Sequence, residues 1–78
     1  MTPNRLTAAR AEALFASDLS ALSCPDQAAV AAAVSSAVRA HGGVRGCAGV
    51  VGAAYGDYPE TAAARMQWAR QVIEAIYS

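Results

Sequence analysis

The sequence predicts an all-α protein: a compact bundle of four helices in one domain spanning residues 1–78. Three observations lead there. Apolar residues recur at three- and four-residue spacing through four segments. Proline or glycine punctuates the gaps between those segments. No run alternates apolar and polar residues as a half-buried strand would.

The first segment covers about Pro3 to Leu22. Ala8, Ala11, Phe15, Leu19 and Leu22 form one helical stripe, and Leu6 and Leu14 a second, so this helix is expected to touch two neighbours. Arg10, Glu12 and Asp18 keep the rest wet. "SCPD" then breaks the chain. Pro25 suits a first helical turn, where its missing N–H has no partner to lose. Ser23 or Cys24 is the expected N-cap, and Asp26 favours the positive end of the dipole. The second helix runs to about His41, with Val30, Val34, Ala37, Val38 and His41 on one face and Ser35 and Arg39 opposite. Gly42 and Gly43 end it, as glycine does where positive φ is needed.

The third segment, about Val44 to Tyr55, lines Cys47, Val50, Val51, Ala54 and Tyr55 along one side. Gly46, Gly49 and Gly52 gather on the other. A helical glycine costs roughly 1 kcal/mol against alanine, so this face is expected to meet another backbone closely. "GDYP" turns the chain. Either Asp57 and Glu60 make a capping box, or Tyr58 is the N-cap and Pro59 the first helical residue. The last helix runs to about Tyr77. Ala62, Met66, Ala69, Val72, Ile73 and Ile76 make its apolar face, with Trp68 at one edge. Gln67, Arg70, Gln71 and Glu74 take the wet side.

Seventy-eight residues bury a modest core. Apolar residues are 55% of the chain, but many are alanine, and there are only one Phe, one Trp and three Tyr. Transfer free energy scales with buried apolar area, so such a core gains little from each residue. A homodimer, or docking on another protein, is expected to complete it. Trp68, Val72, Ile76 and Tyr77 are the candidate protein interface, since large aromatic and aliphatic anchors carry most contact energy.

Six basic residues, all arginine, balance six acidic ones. That balance lacks the footprint of a nucleic-acid binder and offers no charged tail for an anionic membrane. No apolar run is long enough for a bilayer, and the N-terminus does not read as a signal peptide, so a cytoplasmic location is expected. Cys24 and Cys47 are read as free thiols.

One stretch, "VGAAYGDYPETAAARM" from Val51 to Met66, carries a motif. Val51 and Tyr55 are spaced as anchors, Gly52 is the small residue at a close crossing, Gly56 sits at the turn, and Pro59-Glu60-Thr61 opens the next helix. This resembles the helix-turn-helix of bacterial transcription regulators and of sigma-factor-like tri-helical domains. The resemblance implies a tri-helical, helix-turn-helix-like C-terminal part, with the helix from Glu60 reading the major groove. The DNA contacts would then come from Thr61, Arg65, Gln67 and Arg70, with Arg45 on phosphate. Three positions depart from the motif: Asp57 follows the turn glycine, Tyr58 stands where Ser or Thr is usual, and Arg65 occupies an anchor position. Arg65 is expected either to pair with an acid or to stack on Trp68. Arg65 and Arg70 are also offset by Glu60 and Glu74.

Other chemistry is thin. "GGVRGCAGVVG" lacks the Gly-Lys-Ser/Thr ending and the preceding strand of a phosphate loop, so no cofactor is expected. His41 and Cys47 suggest a cysteine-based enzyme only remotely, because no residue is placed to orient the histidine. Cys24, His41 and Cys47 contain no close ligand pair for a metal. From His41 to Ala69 the pattern "HGG-x-RGCA … YGD-x-PETAA-x-RM-x-WA" resembles a stretch carried by small helical proteins of high-GC actinobacteria, a likeness that implies no particular activity. The expected function is a small non-enzymatic regulatory or adaptor protein working through protein contacts as a homodimer. DNA binding by the helix-turn-helix is the alternative.

Overall fold

The computed structural model describes residues 5–77. Four helices follow in order: α1 (Arg5–Ala16), α2 (Gln27–Ala40), α3 (Val44–Asp57) and α4 (Pro59–Tyr77). The all-helical bundle expected from the spacing is present. Its centre is α1, which packs against all three other helices, while α3 and α4 also pack on each other.

The core follows the residue sizes. Leu14, Phe15, Val30, Val51, Met66, Ala69 and Ile73 form the main cluster, with Ala11 and Ala62 filling its narrower parts. A smaller cluster of Ala13, Ala37 and Cys47 lets α1, α2 and α3 approach closely. Phe15 and Tyr55 stack with centroids 6.4 Å apart. The predicted stripe on the first helix divides: Ala11 and Phe15 are buried, whereas Leu22 is 95% exposed and Leu6 56%.

That division has a cause. Helix α1 stops at Ala16, six residues before the predicted end at Leu22. Ser17 folds back, its hydroxyl donating to the Leu14 carbonyl at 2.6 Å and its backbone N–H to the same oxygen at 3.1 Å. Serine competes with the helix in this way wherever the helix is already weak. The predicted start at Pro3 lies outside the described residues.

Helix α2 begins on Asp26, not on Ser23 or Cys24. The Asp26 carboxylate accepts from the Ala29 N–H at 2.8 Å, which places Pro25 one residue before the cap. At the other end Gly42 takes φ 76°, and the Gly43 N–H donates to the Val38 carbonyl at 2.7 Å. This closes the left-handed C-terminal motif that the glycine pair predicts.

The glycine face of α3 departs from expectation. Only Gly46 meets a close neighbour: a Cβ there would collide with the His41 carbonyl. Gly49, Gly52 and Gly56 have open space where a Cβ would stand. Gly56 is also not a turn residue, because α3 continues through it to Asp57. Tyr58 alone joins the two helices. Its N–H donates to Ala54 at 2.7 Å, closing α3, and its carbonyl accepts from Ala62 at 2.9 Å, opening α4. Of the two readings of "GDYP", the structure takes the one with Pro59 as the first helical residue.

Candidate functional site

Two polar side chains decide the shape of the surface around α4. The first is Arg65, at the anchor position of the motif. Its Nε donates to the Phe15 carbonyl at 2.7 Å, and its Nη2 donates to the carbonyls of Ser17 and Leu19, each at 2.9 Å. A fourth contact, to Leu14, is longer at 3.5 Å. Phe15 and Leu14 belong to the last turn of α1, whose carbonyls have no intrahelical donor and carry the helix's negative pole, and Ser17 and Leu19 lie in the segment that follows. A guanidinium offers several N–H groups in a fixed fork and accepts nothing, so it suits such a cluster. The cation also lies 5.0 Å from the Trp68 ring centroid and 5.8 Å from that of Phe15. Arg65 therefore pairs with carbonyls and not with an acid, and it does stack on Trp68. Burial draws its pKa below the usual arginine value.

His41 completes the cap from the opposite side, with Nε2 3.3 Å from the Ala16 carbonyl. The second shaping residue is Trp68. Its indole N–H donates to the Ser23 carbonyl at 3.3 Å. Arg65 and Trp68, one turn apart on α4, thus hold the irregular segment 17–26 against the bundle. Within it, Ser20 organises a local turn, its hydroxyl accepting from the Leu22 N–H and its carbonyl from the Ser23 N–H.

Holding that segment in place creates a groove of about 310 Å³ between it and α4. One wall is Ser23, Cys24 and Pro25. The other is Trp68, Gln71, Val72, Ala75 and Ile76. No lining residue is charged. Trp68, Val72 and Ile76 also pack inward on the main core, so the floor of the groove is the outer side of the hydrophobic core.

Three of the four predicted interface residues are thereby brought together: Trp68, Val72 and Ile76. Tyr77 is not among them. The Arg10 guanidinium lies 3.8 Å from its ring centroid, which covers it from the α1 side. Ser23, Cys24 and Pro25 were not legible as site residues. They join the groove through a hydrogen bond between positions 45 residues apart, and no local spacing encodes such a contact.

The predicted DNA contacts scatter in character. Arg45, Thr61, Gln67 and Arg70 are exposed. Arg65 is half-buried and bonded to the end of α1, so its guanidinium does not project with Arg70. Arg70 lies beside Glu12 and Glu74 in a second groove between α1 and α4.

Cys47 is fully buried, and its thiol pKa is pushed up by burial and by the negative charge of Glu12. Both effects disfavour the thiolate that nucleophilic chemistry needs. Cys24 is exposed at the groove edge, and neither cysteine is in a disulfide. Among the described residues, no three of His, Cys, Asp and Glu gather as a metal site. Nor is any described helix long and apolar enough to cross a membrane. No protein-family model, curated protein or solved structure matches this chain.

Proposed function

We propose that this protein is a small regulatory or adaptor module that works by protein–protein contact, with the groove beside α4 as its contact surface and a second copy of the chain as its occupant. The observation that carries this reading is the groove itself. A tryptophan and two branched aliphatic residues line it, no charged residue does, and its floor is continuous with the core. Aromatic and aliphatic anchors in a dehydrated pocket supply most of the energy of protein contacts. The lining itself carries no charge that a second copy would have to desolvate.

The DNA reading loses support from the same side chains. With Arg65 bonded to α1, the helix meant to read bases offers only Arg70 as a cation, flanked by acids. Phosphate contacts dominate DNA affinity, and one arginine supplies little of that.

The test is sedimentation velocity from about 1 μM to about 1 mM, a range that captures even a millimolar association. Ala75→Arg is the informative variant. Ala75 is exposed and lines the groove, so an arginine there blocks the surface without entering the core. Wild type should dimerise and Ala75→Arg should stay monomeric with an unchanged circular dichroism spectrum. A wild type that is monomeric throughout overturns the reading.

A further inference from the structure

No residue of segment 17–26 is fully buried, and its parts are held unequally. At its start the Arg65 fork donates to the Ser17 and Leu19 carbonyls, each at 2.9 Å, and the Leu19 side chain packs on the main core. At its end the Asp26 carboxylate caps α2. Between them, among the described residues, one hydrogen bond joins residues 20–25 to another element: the Trp68 indole N–H donates to the Ser23 carbonyl at 3.3 Å. The other bonds of this stretch are local and exposed. The Ser20 hydroxyl accepts from the Leu22 N–H, and the Ser20 carbonyl accepts from the N–H and the hydroxyl of Ser23. A turn closed on itself in this way keeps those bonds when it moves as a body. Local opening takes little free energy where few apolar contacts are lost and the bonds broken face water.

We infer that residues 20–25 form a strap that opens without the rest of the fold, with residues 17–19 and Asp26 as its fixed ends and the Trp68–Ser23 bond as its latch. Opening carries Ser23, Cys24 and Pro25 away from α4, so the groove loses one wall and the side of Trp68 that faced them enters water. The groove is therefore a property of the latched state. Trp68 both lines it and holds the opposite wall in place. Any occupant that touches both walls binds the latched form better and shifts the population toward it. The opening itself is a motion of the single chain and does not depend on what fills the groove.

Thermolysin digestion of the dilute native protein tests the inference. The protease cuts before large apolar residues, and Leu22 stands 95% exposed within the strap. The product cut between Ala21 and Leu22, identified by mass, therefore reports opening. Where reclosing outpaces cleavage, the rate follows the open population. Trp68→Phe keeps an aromatic ring and removes the N–H. It is expected to speed this cut by roughly two- to tenfold or more, the worth of one hydrogen bond in an equilibrium. Val51→Ala weakens the core from α3. It is expected to lower the urea midpoint and leave the rate of this cut at the wild-type value. A cut that speeds up in Val51→Ala in proportion to its lost global stability shows that the segment opens only with the whole fold, and overturns the inference. An unchanged rate in Trp68→Phe overturns it as well, because the latch would then hold nothing.

Discussion

Replacing Arg65 by methionine isolates the contribution of its guanidinium. Methionine keeps an unbranched stem that packs beside Trp68 and Phe15, so what is lost is the fork of donors. Three carbonyls then lose donors at 2.7, 2.9 and 2.9 Å. A hydrogen bond to a charged group contributes about 1.5–3 kcal/mol. Arg65 is only half-buried, so water replaces part of what is removed, and about 1 kcal/mol per bond is the better figure. The expected loss is about 3 kcal/mol, against a total stability of roughly 4–12 kcal/mol for a chain of this length. In a domain this small that lowers Tm by about 12–24 °C. Urea titration followed at 222 nm and by emission of the single tryptophan measures it directly. Trp68 should also shift to the red in native conditions, because segment 17–26, which it bonds, loses its second tether. Arg65→Lys separates charge from geometry. An ammonium reaches one carbonyl well but lacks the planar fork, so it should recover only part of the loss. A methionine variant within about 0.5 kcal/mol of wild type, the range of an ordinary surface change, would refute the assignment of Arg65 as the cap of α1. Full recovery by lysine would show that charge at the helix end, and not the fork, carries the effect.

Two further outcomes follow from particular side chains. Gly46→Ala places a Cβ against the His41 carbonyl and should destabilise by about 2 kcal/mol or more. Gly49→Ala and Gly52→Ala meet open space and should each stabilise by up to about 1 kcal/mol; urea midpoints of the three variants check the contrast, and a neutral Gly46→Ala would refute the close approach. The raised pKa of Cys47 gives an alkaline arm to stability. Above the unfolded thiol value, near 9.0, the unfolded chain releases a proton that the folded chain retains. Stability is therefore complete below that pH and falls as pH rises through the folded value. Cys47→Ala should flatten the slope above pH 9, and an unchanged slope in its denaturation curves would remove burial of this thiol as the cause.

Helical spacing made the four elements legible because a helix repeats every 3.6 residues whatever its neighbours are. Val30, Val51, Met66, Ala69 and Ile73 are buried for that reason, and the Gly42-Gly43 stop was legible because only glycine takes φ 76° or 110° without strain. The places where the reading failed share a physical cause. Helix α1 ends at Ala16, where Ser17 folds back onto the Leu14 carbonyl and Arg65, some fifty residues away, bonds the Phe15 and Ser17 carbonyls on either side of the end. The glycines of α3 looked alike in sequence, but only Gly46 lies under the His41 carbonyl.

The sequence by itself determined the class of the fold and most residues of the core, since periodicity and side-chain size are local properties. Only the tertiary structure decided that Arg65 faces carbonyls instead of solvent or an acid. It alone decided that Ser23, Cys24 and Pro25 oppose Trp68 across a groove, and that Tyr77 lies under Arg10 outside that groove. These are pairings between distant segments. They depend on where the unpaired carbonyls of one helix end come to rest against the donors of another, and no spacing along the chain records that.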